Sequence, residues 1–335
     1  MNDLIEAWLR FKQHNQGKAE GTVTKYRGYL TRLATFLAGR DVALLHADQA
    51  ILEEFTGLHA HKEGLSPRSR RTIVAAVKGF YAWARRAGLR GDDPAAGIPY
   101  PIAGRRLPTP LESKNAQALL HQPDLDTFEG VRDCAILMTL IGCGLRASGL
   151  VGLNESSLQL VDVKGVEWLV VKVMEKGKRE RLVPAPHDVK YILHAYLGHR
   201  DLASIDRTLP NGDRVLFVST MNRAIPPQDY HGEQRRISKR SIHDMIRKYG
   251  QRAGIPADQL HAHAMRHLYG TELAENEVDL ITRQALLGHA DPKTTEIYTH
   301  LAMRNLTKVV DAANPFKNIR TPLSDLVREL ERSKR

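Results

Sequence analysis

Apolar residues recur at three- and four-residue steps through DLIEAWLRF, TKYRGYLTRLATFLAG and QAILEEFTGLHAH, so residues 1 to about 90 read as helical. Four helices fit that span. The fourth is the best delimited: Ser66 can cap it, Pro67 suits its first position, and Ile73, Val77, Phe80, Tyr81 and Ala84 form an inward stripe ending before Gly88. Its other face carries Arg68, Arg70, Arg71, Lys78, Arg85 and Arg86, which is either a solvated helix face or a surface laid on DNA. Between 90 and 110, RGDDPAAGIPYPIAGRRLPTP holds prolines and glycines too densely for a helix and reads as a linker. Helical patterning resumes at 112 to 121 and about 129 to 142. The period then changes: SLQLVDV, EWLVVKVM and ERLVPA are short β-rich runs joined by KG-type turns, predicting a small antiparallel sheet. Helices return at ISKRSIHDMIRKYGQRAG and continue toward the C-terminus. The expected fold is mainly α with a small antiparallel sheet, an α+β arrangement in two domains.

Charge narrows the class of partner. The chain of 335 residues has a formal net charge of +11, and its basic residues recur along the whole length, as suits a protein lying along a polyanion. Nucleic acid is the expected partner. The two cysteines, Cys134 and Cys143, share the apolar stretch CAILMTLIGC without CxxC spacing and read as reduced core residues. No apolar signal core and no run of about 18 apolar residues occurs, so export and membrane insertion are not expected and a cytoplasmic, nucleoid-associated protein is.

Four separated stretches hold residues suited to phosphoryl chemistry: GLRASGLVGL, EKGKRERLVP, HAMRH and LLGHADPKTTEIYTH. Taken singly, each has a plain structural reading: a surface arginine, a solvated hairpin tip, a histidine cluster, a packed tyrosine. A zinc site at His261, His263 and His267 lacks accompanying acidic or cysteine ligands and matches no strong metal spacing. The combination reads differently. Two arginine forks, Arg146 and Arg266, can hold the non-bridging oxygens of a phosphodiester as their charge grows during attack. Tyr298 is a weak nucleophile near neutral pH and needs a base, which His263 can supply. Lys176 on a β-turn can protonate the departing 5′-hydroxyl, and His289 can hydrogen-bond the phosphate or orient the nucleophile. This scheme needs no cofactor and no metal.

These motifs, in this order and with these separations, resemble the tyrosine recombinase (phage integrase) family, which includes the Xer recombinases, lambda-type integrases and Cre. Arg146 falls at the family's first arginine, Lys176 at its hairpin lysine, His263 and Arg266 at its HxxR pair, His289 at its His/Trp position and Tyr298 at its nucleophile. The N-terminal half resembles the family's helical, SAM-like core-binding domain in helix number, in the SPRSRRT opening of its last helix and in the DDPA turn that follows.

The resemblance implies a helical core DNA-binding domain at 1–90, a linker at 91–111, a catalytic domain at 112–318 and a C-terminal helix at 319–335, the two domains closing on DNA as a C-shaped clamp. It implies a 3′-phosphotyrosine intermediate, a Holliday junction, and a tetramer on synapsed DNA bearing inverted-repeat core sites. Lys178 and Arg179, beside the hairpin lysine, join the expected DNA contacts. An Xer-like or transposon-type layout is favoured over the lambda type, since no arm-binding domain is evident ahead of the first helix. Integration, mobile-element transposition and dimer resolution all use this chemistry and stay open.

One position departs from the family pattern. An acidic residue usually stands three after the first arginine, and here it is Gly149. A carboxylate there would orient Arg146 and the lysine, so Gly149→Glu is expected to raise cleavage, and Glu155 is a nearby candidate for the missing role. Three other readings compete with recombination: relaxation alone, as in type IB topoisomerases; a DNA-binding protein of this fold with weak catalysis; and a metal nuclease using the histidine cluster. The C-terminal segment TPLSDLVRELERSKR, with Thr321 as cap, Pro322 as first residue and a stripe of Leu323, Leu326, Val327 and Leu330, either packs on its own domain or docks on a neighbouring protomer.

Overall fold

The first apolar stretches build a helical layer around Trp8. The helices of this layer are α1 (Asn2–His14), α2 (Glu20–Ala38), α3 (Gln49–Glu54), α4 (Ala60–Lys62) and α5 (Pro67–Arg86), with a π-helical turn at Phe55–His59 joining α3 to α4. Trp8 is fully buried, stacks on Tyr26 and donates its indole N–H to Gly79 O at 3.0 Å. The α5 boundary follows its sequence signals: Ser66 Oγ accepts from Ser69 N at 3.2 Å, Pro67 opens the helix, and the Ile73, Val77, Phe80, Tyr81 and Ala84 stripe is buried.

The structure is a computed structural model, and it describes residues 2–104, 109–175, 179–221, 224–288 and 300–325. Two compact units are present, residues 1–106 and 107–335. The described residues of the proline- and glycine-rich stretch, 90–104 and 109–110, form no helix, yet they are not free chain. Ala95 and Ile98 are buried in the first unit's core, and Leu111 is buried in the second's. Composition identified the absence of a helix but not the apolar anchors, which depend on distant partners.

In the second unit, α6 (Ser113–Leu120) leads to α7 (Phe128–Cys143), which is apolar nearly all round and runs through the centre of the core. Arg132 and Asp133 enter that core as a pair at 2.8 Å, and Tyr249 donates its hydroxyl to Asp133 at 3.0 Å. A buried ion pair needs such extra hydrogen bonds to offset its lost hydration. Gly144 in the left-handed conformation ends α7, and α8 (Ala147–Val151) follows.

The strands are β1 (Leu158–Val163), β2 (Val166–Glu175) and β3 (Arg179–Pro184), antiparallel in that order. Val163 pairs with Val166 across a two-residue loop, Lys164 and Gly165, both at positive φ, which is the turn geometry that suits right-twisted strands. Then come α9 (His187–Leu197), α10 (Arg200–Ala203), α11 (Lys239–Arg252), α12 (Ala262–Glu275), α13 (Leu280–Leu287) and α14 (His300–Ala312). A smaller cluster of Trp168, Tyr269, Leu286, Leu306 and Val310 joins the sheet to α12, α13 and α14.

Residues 322–325 are helical; Thr321 is fully buried and its Oγ1 accepts from Ser324 N at 3.1 Å. Asp325 meets His121 at 3.0 Å, and Leu323 packs against the main core, so this first turn lies on its own unit. Leu326, Val327 and Leu330 lie outside the described residues. Among the described residues no helix is long and apolar enough to cross a membrane.

Candidate active site

Arg146 and Arg266 both stand near the N-terminal ends of helices, α8 and α12. Gly144 must turn left-handed (φ +57°) to end α7, and a β-carbon there would lie 2.3 Å from Tyr269 Cδ1. That turn sets the half-buried Arg146 at the N-cap of α8. On α12, His261 is the N-cap, its Nδ1 accepting from Ala264 N at 2.9 Å, so His263 and Arg266 fall three apart on one face of the first turns. Arg266 is 7% exposed; it donates from Nη1 to Gly144 O at 2.7 Å and from Nη2 to Leu287 O. One guanidinium thus ties the ends of α7 and α13 to α12.

His263 stands at the surface of this cluster. Lost hydration, followed by the positive charge of Arg266, then His267, His261 and Arg146, holds its pKa below the ordinary 6.5. A neutral imidazole is the form able to accept a proton. His267, whose ring centroid lies 6.4 Å from that of His263, is lowered too, by lost hydration first and then by His261 and Arg266. With Nδ1 of His261 already engaged as a cap acceptor, the three histidines are arranged around the helix start.

Lys176, Lys178, His289 and Tyr298 lie outside the described residues. Their flanks are described. Glu175 and Arg179 form the last pair of the antiparallel β2–β3 ladder, and in the sequence Lys176 and Lys178 fall between them. Helix α13 ends at Leu287 with Gly288 as its left-handed cap, immediately before His289, and α14 starts just after Tyr298. Both helices pack against β3.

Gly149 corrects an expectation. It is buried, and a β-carbon there would lie 2.8 Å from Cγ1 of Val173, itself fully buried on β2. A glutamate at 149 therefore meets a stiff β-branched side chain in the core, and the expected gain in cleavage from Gly149→Glu does not follow. Glu155 does not take over the missing role: it pairs with Arg207 at 2.5 Å and lies 3.8 Å from Arg214.

On α5, Arg68, Arg71, Arg85 and Arg86 are exposed, while Arg70 and Lys78 are half-buried. Lys78 donates to Ala96 O at 2.9 Å, and both Lys78 and Arg71 lie over the Tyr100 ring at 5.2 and 5.0 Å, so this part of the basic face braces the chain that follows the helix. Arg179 belongs to β3, and its side chain lies outside the described residues.

Two features were missed in sequence. Helix α11 packs against α8, which Arg146 caps, and exposes Lys239, Arg240, Arg247, Lys248 and Arg252. Its run KRSIHDMIRKYGQR carried that signal in plain view. Arg181 is 2% exposed beneath α13, and a basic residue in an alternating strand has no sequence mark of burial.

Comparison with known proteins follows the same outline. Residues 110–305 match the profile of the phage integrase family, and residues 5–88 that of the phage integrase N-terminal SAM-like domain. Tyrosine recombinase XerC of Pseudomonas syringae pv. syringae is 34% identical over 316 residues, 94% of this chain and 97% of that protein. Tyrosine recombinase XerD of Xanthomonas axonopodis pv. citri is 31% identical over 320 residues, 93% and 97% of the two. Among solved structures, XerH site-specific recombinase bound to difH substrate superposes with a TM-score of 0.61 at 18% identity, over 91% of this chain and 93% of that one. A lambda integrase dimer bound to a COC′ core site gives 0.60 at 14%, over 87% and 95%. At these identities the solved structures share the fold.

Proposed function

This chain belongs to the phage integrase family of tyrosine recombinases, and from that premise we propose how its own residues cut and rejoin DNA. Tyr298 Oη attacks the scissile phosphorus, forming the O–P bond as the bond to the 5′-oxygen breaks. The phenolic proton passes to His263, and the Lys176 ammonium protonates the leaving 5′-oxygen. Arg146 and Arg266 hold the non-bridging oxygens, and His289 hydrogen-bonds the same phosphate. The products are a 3′-phosphotyrosine and a free 5′-hydroxyl. A partner strand's 5′-hydroxyl then attacks that phosphotyrosine and releases Tyr298, so the bond energy is retained and no nucleotide is consumed.

The observation that carries this reading is the fixing of Arg266 by Gly144 O and Leu287 O, on the face of α12 that bears His263, whose pKa burial and nearby positive charge lower. A guanidinium already immobilised stabilises developing charge without reorganising at the moment of reaction.

Assignments at the level of the whole chain follow from the same reading. Residues 1–90 act as a core DNA-binding domain, 91–111 as linker, 112–318 as catalytic domain, and 319–335 as a C-terminal helix. The substrate is double-stranded DNA with inverted-repeat core sites, synapsed by a tetramer that passes through a Holliday junction in the cytoplasmic nucleoid. Arg68, Arg71, Arg85 and Arg86, with Lys178 and Arg179, contact the phosphate backbone.

Covalent trapping tests it. DNA flanking the protein's own gene, nicked so that the short leaving strand escapes, is incubated with wild type and Tyr298→Phe in excess EDTA and run on a denaturing gel. An adduct with wild type alone is expected. Binding without an adduct under these conditions overturns the catalytic assignment in favour of a DNA-binding member of the fold, and cleavage that requires divalent metal favours the nuclease reading.

A further inference from the structure

Helix α13 ends on two buried arginines from different parts of the chain. The last carbonyls of a helix have no partner within it. Here two consecutive ones are taken up by guanidinium groups: Leu286 O accepts from Arg181 Nη1, and Leu287 O accepts from Arg266 Nη2. Positive charge is favourable at a helix C-terminus, and burial makes the hydrogen bonds stronger. Arg266 links that end to α12 and α7. Arg181 links it to the sheet, for it lies on β3, opposite Val173 of β2.

The position of Arg181 matters because of what lies on either side of its contact. Backward along β3 the strand begins at Arg179, three residues after Lys176 in the sequence; forward from Leu286 the chain passes Gly288 to His289 and, further along, Tyr298. We propose that Arg181 is a positioning residue for strand cleavage, fixing the hairpin of the general-acid lysine to the end of the helix that leads into the nucleophile's segment. This rests on the reading of Lys176 as the acid and Tyr298 as the nucleophile. Arg181 does not touch DNA; being 2% exposed, it acts through the two elements it joins. Small misplacements of reacting groups carry large rate effects, so one tether between acid and nucleophile supports is expected to show in the chemical step.

The test uses full-length protein and nicked DNA carrying either the ordinary 5′-oxygen or a bridging 5′-sulfur at the scissile phosphate. A thiolate leaves without protonation, so sulfur relieves the need for an aligned acid. Single-turnover adduct formation is measured for wild type, Lys176→Ala, Arg181→Met and Arg181→Lys, with DNA binding followed in parallel. Arg181→Met is expected to bind DNA normally, to lose about tenfold or more of its cleavage of oxygen DNA, and to recover most of that loss on sulfur DNA. Arg181→Lys, which retains the charge and one donor, is expected to show a smaller loss with the same recovery, and it decides the matter if Arg181→Met does not fold. Cleavage of oxygen DNA within about twofold of wild type overturns the proposal. So does an equal loss on both substrates while Lys176→Ala is rescued by sulfur. Failure of sulfur to rescue Lys176→Ala removes the acid assignment itself, and the coupling built on it.

Discussion

Val173 Cγ1 stands 2.8 Å from the point that a β-carbon on Gly149 would occupy. Val173 is buried on β2, and its branched side chain has little freedom to turn aside. Gly149→Ala is therefore expected to destabilise the protein by about 1–3 kcal/mol through overpacking, read from urea denaturation. In a double-mutant cycle with Val173→Ala, the combined cost is expected to fall short of the sum, because the smaller side chain makes room. Strict additivity would show that the two positions do not meet. Gly149→Glu adds a buried carboxylate to the same clash and is expected to lower cleavage, opposite in sign to what the family pattern suggests.

Gly144 combines two demands: a left-handed backbone and a close approach to Tyr269. Its carbonyl also accepts from Arg266. Gly144→Ala is expected to cost about 2–4 kcal/mol in stability, from conformational strain plus overpacking. Cleavage by the folded fraction is expected to fall as well, because Arg266 loses its support. A variant with a lowered melting temperature but full single-turnover cleavage per folded molecule would separate the two roles.

The lowered pKa of His263 has consequences for both rate and stability. As a base, the imidazole must be neutral, so the acid limb of the single-turnover cleavage profile is expected to lie below the ordinary histidine value of 6.5. Stability moves too. Below 6.5 the unfolded chain takes up a proton on this histidine while the folded chain resists, so stability declines as pH falls through that window, until both forms are protonated. His263→Gln is expected to flatten the acid limb. An acid limb centred above 6.5 would argue against His263 as the group that titrates.

Burial pushes the thiols of Cys134 and Cys143 up to about 12. Both are fully buried in the second unit's core. A thiol reagent near neutral pH is expected to leave the native protein unlabelled and fully active, and to label both cysteines after denaturation. Rapid labelling of native protein would show that α7 opens to solvent on the time scale of the reaction.

Thr321 caps the first turn of the C-terminal helix and contacts Asp188 Oδ1 at 3.5 Å, while burial raises the pKa of Asp188. Thr321→Val keeps the shape and removes the cap. A loss of about 0.5–2 kcal/mol is expected, with faster amide exchange at Ser324 and Asp325. Unchanged exchange there would mean that packing of Leu323 alone holds the turn.

Much of the molecule is legible in its sequence wherever the information is local. Ser66 and Pro67 delimit α5, Lys164 and Gly165 turn the first hairpin, and the three-residue spacing of His263 and Arg266 places both on one helical face, because caps, turns and helical phase are decided within a few residues. The four motifs and their order were enough to place the chain in its family. What lay beyond the sequence depends on neighbours far along the chain. Gly149 reads as a missing carboxylate until Val173 is seen filling its space. Glu155 reads as a candidate substitute until Arg207 claims it. Lys78 shows only its charge in the sequence, whereas in the fold it donates a hydrogen bond to Ala96 O, and nothing local to Arg181 marks it as the buried donor to Leu286 O at the end of α13. In each case a side chain's role follows from what occupies the few ångströms around it, and only the folded chain brings those groups together.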